Sequence, residues 1–93
     1  MSEFEGRVAL VTGGTKGIGH AIAKDLLDAG MRVAFSARTP EDVEAAEESL
    51  SAAGSGEVMG VVADVRVPEA CAGLIQKTVD RFGSLDVLVN NAG

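Results

Sequence analysis

Tyrosine and tryptophan are absent from the 93 residues, and three phenylalanines supply all the aromatic content. Such a chain suits tight strand–helix packing better than a surface for stacking nucleic-acid bases. Basic residues are also scarce: eight Lys and Arg against fourteen Asp and Glu leave a net charge of −6. That balance opposes the basic face of a nucleic-acid binder, although a local phosphate site needs oriented N–H groups more than net charge. One cysteine, Cys71, excludes an internal disulfide and a thiolate metal cluster, and points to a reducing, cytoplasmic setting. The lone His20 has no partner His or Cys, so no metal site is expected. No apolar run approaches the roughly 20 residues that span a bilayer, and the start of the chain lacks the pattern of a secretory signal. The expectation is a soluble protein without a membrane partner.

What is present is ordinary in bulk and informative in order. Hydrophobic residues make up 46% and charged residues 24%, with 12 glycines, consistent with one small domain over residues 1–93. Arg7 to Thr12 is a compact β-branched run ending in glycines, which reads as a buried strand. Ile18, Ile22, Leu26 and Ala29 then recur at helical spacing, and Gly30 stops the helix. Arg32 to Ser36 reads as a second strand. Thr39 and Pro40 supply an N-cap and a proline at the first helical position. In the helix that follows, Val43, Ala46, Leu50 and Ala53 share one side. Glu41, Asp42, Glu44, Glu47 and Glu48 form a solvated face that complements the helix dipole.

Val58 to Ala63 reads as a third strand. Pro68 opens a helix with the stripe Cys71, Leu74, Ile75, Thr78, Val79 and Phe82, with Cys71 as a small core residue, and Gly83 closes it. Leu85 to Val89 reads as a fourth strand. The order β-α-β-α-β-α-β implies an α/β fold with a doubly wound parallel sheet covered on both faces. Its ligand is expected beyond the carboxyl ends of the strands, where the strand order reverses.

Between the first strand and first helix stands Thr12-Gly13-Gly14-Thr15-Lys16-Gly17-Ile18-Gly19. Gly13, Gly17 and Gly19 give the spacing G-x-x-x-G-x-G. A strand turning sharply into a helix needs residues that tolerate unusual backbone angles. A pyrophosphate needs close backbone approach and the unpaired N–H groups of the helix start. No Gly-Lys-Ser/Thr follows at the distance of a Walker loop, so triphosphate hydrolysis is not expected.

The loop TGGTKGIG, the pair Asp64-Val65 after the third strand and Asn90-Asn91-Ala92-Gly93 after the fourth resemble the short-chain dehydrogenase/reductase family. They stand in that family's order, across the whole chain, with a flavour closest to 3-oxoacyl-carrier-protein reductases and related ketoreductases. The resemblance implies the first part of an NAD(P)-binding Rossmann-type domain. Gly13, Gly14, Thr15, Lys16, Gly17, Ile18 and Gly19 would wrap the pyrophosphate and adenosine ribose, with Ile18 near the nicotinamide. Asp64 would accept from the adenine amino group with the Val65 backbone beside it, the other reading of Asp64 being a cap for the next helix. Asn91 and Gly93 would lie near the ribose and cofactor, while Thr12 and Asn90 would tie the loop to the fourth strand.

An NAD-specific site sets a carboxylate at the end of the second strand, where this chain has Ser36-Ala37-Arg38. Ala37 occupies the acidic residue's place, and Arg38 can contact the 2′-phosphate of NADP, with Lys16 as a second basic candidate. NADP(H) is therefore expected over NAD(H). The resemblance further implies hydride transfer between the nicotinamide and a small ketone or alcohol, and assembly as a dimer or tetramer. Its proton donor is a tyrosine in a Y-x-x-x-K motif, and this sequence has no tyrosine. No catalytic residue is assigned here, and the expectation is the cofactor-binding part of a longer enzyme, inactive alone. The alternative is a non-catalytic dinucleotide-binding module that needs a partner chain; an S-adenosylmethionine methyltransferase accounts for neither NNAG nor Arg38. On the longer-enzyme reading, Leu85, Val87, Leu88 and Val89 lie on an open edge, and the helix carrying Leu74, Val79 and Phe82 exposes apolar surface.

Overall fold

The computed structural model describes residues 4–13, 17–53 and 56–91. Seven elements alternate: β1 (Val8–Thr12), α1 (Gly17–Asp28), β2 (Arg32–Ala37), α2 (Pro40–Ala53), β3 (Val58–Val62), α3 (Pro68–Phe82) and β4 (Val87–Asn90). The strands form one parallel sheet in the order β3-β2-β1-β4. The chain steps outward from β1 to β3 and then returns across the sheet to place β4 on the other side of β1. Right-handed crossovers made in opposite directions put their helices on opposite faces.

Alternation along the central strands shows this directly. Ala9 and Val11 of β1 and Val33 and Phe35 of β2 pack against Ala23 and Leu27 of α1 and Val43, Ala46 and Leu50 of α2. The intervening Val8, Leu10 and Ala34 pack against Leu74 and Phe82 of α3. All five residues of β1 are buried, as a strand covered on both faces requires. Thr39 accepts a hydrogen bond from the Asp42 N–H at 3.3 Å and starts α2 as expected of a capping threonine. Gly83 ends α3 in the left-handed region, with its N–H on the Val79 carbonyl.

Several expectations are corrected. Strand limits differ by a residue or two, most visibly at the fourth strand, which runs Val87–Asn90 rather than from Leu85. The inner face of α1 is Gly19, Ala23 and Leu27, not Ile18, Ile22, Leu26 and Ala29. Ile18 is 73% exposed, and Ile22 and Leu26 only flank the core. At Gly19 the helix start lies against the Gly13 backbone with no room for a Cβ, so the most buried stripe begins with a glycine and the larger Ile22 and Leu26 pack beside it. Glu47 is not on a solvated face, because its carboxylate accepts the Gly60 N–H of β3 at 2.7 Å. A Cβ on Gly60 would lie 2.6 Å from Val43 and 2.8 Å from Phe35, so this glycine lets α2 close onto the sheet edge. In α3 the buried residues are Leu74, Thr78 and Phe82, whereas Cys71 is only half-buried. The Thr78 hydroxyl donates to the Leu74 carbonyl at 2.9 Å, so its burial leaves no unmet bond.

β4 is pinned at both ends. Asp86 donates its backbone N–H to the Val8 carbonyl and accepts the Val8 N–H on its carboxylate, both at 2.9 Å. Of the four residues expected on an open edge, Leu88 is half exposed. Val87 and Val89 pack partly on the α1 side and Leu85 on the α3 side. Leu74 and Phe82 are buried, so the expected exposure of α3 is not seen for them.

Candidate functional site

Because the strands are parallel, the ends of β1, β2, β3 and β4 bring Thr12-Gly13, Ala37-Arg38, Asp64-Val65 and Asn90-Asn91 to one side of the sheet. The start of α1 joins them. Gly14, Thr15, Lys16 and Gly93 lie outside the described residues. Of the other expected residues, Gly13, Gly17, Ile18, Gly19, Arg38, Asp64, Val65 and Asn91 all stand along this rim.

Thr12 is the knot between β1 and β4. Its hydroxyl accepts the Asn91 N–H at 2.9 Å and lies 3.2 Å from Asn90 Oδ1, toward which it donates. The expected tie between the loop and the fourth strand is thus present. Ser36 was not anticipated: its carbonyl accepts the Gly13 N–H at 3.0 Å, fixing the loop to β2. Gly13 and Gly17 have φ of 70° and 56°, the left-handed region that a side chain disfavours. Thr12→Val should leave the Asn91 N–H without its acceptor and cost about 1–3 kcal/mol. Urea unfolding and faster hydrogen exchange at Asn91 would register it; unchanged exchange would count against the role given to the hydroxyl.

Gly19 faces the loop with no room for a Cβ. One built there would run into the Gly13 carbonyl oxygen and lie 2.6 Å from Asn91 Nδ2. The first turn of α1 therefore rests directly on loop backbone. No acidic residue stands in that turn, whereas α2 begins with Glu41 and Asp42 and α3 with Glu69. The positive end of the α1 dipole is left unneutralised by its own side chains, the arrangement that suits an anion.

Asp64 is neither free nor a helix cap. Arg66 donates to its carboxylate from the backbone N–H, from Nε and from Nη2, at 3.0, 3.0 and 2.8 Å. The cap position of α3 is Val67, without a side-chain cap. The hydrogen bonds from Arg66, with smaller help from the charges of Arg66 and Arg38, lower the Asp64 pKa to about 2. It stays a carboxylate, an acceptor only, at any pH near neutrality. The Asp-x-Arg spacing was the signal for this pair. Arg38 is exposed and makes no hydrogen bond or ion pair among the described residues. Its charge still reaches Asp64.

A cavity of about 180 Å³ opens at the same strand ends, on the α3 side. Leu10, Thr12, Leu88 and Asn90 line it from β1 and β4, and Val65, Arg66 and Cys71 from the β3–α3 segment. Cys71 is a cavity-wall residue rather than part of the core. The volume is below the ≈ 300–1,000 Å³ of most ligand pockets. Among the described residues no three of His, Cys, Asp and Glu converge as metal ligands. No described helix is long and apolar enough to cross a membrane.

The sequence and fold both have known counterparts. The model of the short chain dehydrogenase family matches residues 7–93. An uncharacterized oxidoreductase of Methylorubrum extorquens is 47% identical over 94 residues, covering all of this chain and 38% of that protein. The actinorhodin polyketide ketoreductase, solved with NADPH, superposes with a TM-score of 0.90 at 43% identity over 100% of this chain and 35% of its own. Xylitol dehydrogenase, solved with NAD+, superposes with a TM-score of 0.91 at 39% identity over 99% of this chain and 35% of its own. The chain thus spans little more than a third of the length of these relatives. With that match over nearly all its residues, and a Rossmann-type sheet whose glycine loop, Asp64 and Asn91 meet on one rim, the chain belongs to the short chain dehydrogenase family.

Proposed function

We propose that this chain is the cofactor-binding part of an NADP(H)-dependent oxidoreductase acting on a small ketone or alcohol. A 3-oxoacyl-type carbonyl compound is one substrate within that class, in keeping with the similarity to polyketide ketoreductases. Relatives of this fold are solved with NADPH and with NAD+, so family membership alone does not choose between them. The observation that carries the choice is the end of β2: Ala37 where a carboxylate would hold the 2′-hydroxyl of NAD, followed by the exposed Arg38, which has no ion pair among the described residues. A guanidinium there can grip a 2′-phosphate, which a carboxylate would repel.

The residues present fit such a cofactor. Gly19 lets the start of α1 close onto the Gly13 backbone, where no side chain fits, and that unneutralised helix start offers N–H groups to a pyrophosphate. Lys16 would add a second positive charge, and Asn91 and Gly93 would border the ribose. When bound, the nicotinamide would donate hydride to a ketone or accept it from an alcohol. The chain's own residues hold and orient the dinucleotide. The family resemblance gives proton transfer to a tyrosine, and none of these 93 residues is tyrosine, so no catalytic residue is assigned among them. A cytoplasmic enzyme, dimeric or tetrameric when whole, belongs to the same proposal.

Titration of the chain with NADPH and NADH, by cofactor fluorescence or calorimetry, tests it. One charge-assisted bond contributes about 1.5–3 kcal/mol, so NADPH should bind roughly ten- to a hundredfold tighter. Arg38→Ala should erase most of that ratio while leaving NADH affinity nearly unchanged. Equal affinities in the unaltered protein would refute the cofactor assignment.

A further inference from the structure

Arg66 has no place in the function just described, yet it spends three donors on one carboxylate. Its side chain is 72% exposed, and an ion pair so open to water adds little to stability. What the contact does add is geometry. A carboxylate offers about four lone-pair positions. Oδ1 of Asp64 takes the Arg66 backbone N–H and Nε–H, and Oδ2 takes Nη2–H. One acceptor position on Oδ2 remains, and the two-point fork of the guanidinium fixes the plane in which it points. Val65 and Arg66, the residues that follow Asp64, form part of the cavity wall at the strand ends.

We propose that Arg66 is a positioning residue that sets Asp64 as a single, fixed acceptor and thereby makes the site select a 6-aminopurine over a 6-oxopurine. The inference rests on the reading of Asp64 as the partner of the cofactor's adenine. A 6-amino group donates and can fill the open position. A 6-oxo group presents an acceptor to an acceptor and leaves the carboxylate unsatisfied, an arrangement that costs more than a merely absent bond. Without the Arg66 guanidinium only the backbone N–H of residue 66 still holds Oδ1, so Oδ2 is free to hydrate and the carboxylate can meet either base with less penalty.

The test compares binding of NADPH with that of reduced nicotinamide hypoxanthine dinucleotide phosphate, which differs only in carrying a 6-oxo group. The unaltered chain should favour NADPH by about tenfold or more, as expected for a bond to a charged group. Arg66→Ala should bring the two affinities within about threefold, and Arg66→Lys, which keeps the charge but not the fork, should fall between. A general loss of positive charge would weaken both dinucleotides equally, so the ratio isolates the positioning role. An undiminished ratio in Arg66→Ala overturns the inference. No preference in the unaltered chain, with NADPH binding intact, also overturns it while sparing the cofactor assignment. Failure of the unaltered chain to bind either dinucleotide overturns both.

Discussion

Gly19→Ala should destabilise the fold by about 1–3 kcal/mol, the usual cost of forcing a methyl group into a filled space. The added carbon points at the Gly13 carbonyl and at Asn91 Nδ2. Neither side of that contact yields easily. Gly13 is tied through its N–H to the Ser36 carbonyl, and Asn91 through its own N–H to Thr12. The relief left is for α1 to lift from the sheet, which loosens Ala23 and Leu27 in the core beneath it. Alanine's better helix propensity, worth up to about 1 kcal/mol over glycine, offsets only part of this. The same shift would move the helix start from the loop, and NADPH affinity should fall at least about tenfold, or 1.4 kcal/mol. Gly73→Ala is the control, since a Cβ there meets nothing within 4 Å on the exposed side of α3. It should leave affinity unchanged and raise the urea midpoint slightly. If Gly19→Ala behaved like Gly73→Ala, the close approach of helix and loop would be wrong.

Phe35→Ala should have the larger effect on stability, about 3–5 kcal/mol. Phe35 is fully buried in β2, between the α1–α2 layer and the neighbouring strands. Its ring fills the space left by Gly60 on β3, whose missing Cβ would otherwise lie 2.8 Å from it. Val43, Ala46 and Leu50 close over the same region from α2. Those residues are held by their own helix and by the Glu47–Gly60 bond at its edge, so they cannot collapse into the void. Domains of this size are stable by about 5–15 kcal/mol in total, so the variant should lose a large share of its folded population. Urea titration at constant slope would measure it. A loss below about 1.5 kcal/mol, the scale of a tolerated apolar swap, would mean the ring is not the centre of that layer.

Much of the site was legible because its parts are local. Strand–loop–helix alternation, the glycine spacing and the polar residues after each strand depend on neighbours within a few positions. The parallel sheet then gathers every strand end to one rim. Arg38, Asp64 and Asn91 could therefore be assigned to that rim although they lie far apart in the chain. The misread features share a different origin. Periodicity ranks a helix face by apolar bulk, but α1 seats Gly19 inward because the Gly13 backbone leaves no room for a side chain there. Glu47 looked like its acidic neighbours until β3 placed an N–H within its reach. Ser36 gave no sign that its carbonyl would hold Gly13.

By itself the sequence determined the element order, the α/β class and which residue types stand at each strand end, since these follow from propensity, pattern and turn chemistry. Only the tertiary structure decided which face of α1 is buried, that Cys71 lines a cavity, and that Asp64 is bound three ways by Arg66 rather than capping α3. Each of those outcomes depends on how closely two elements approach and how side chains orient between them.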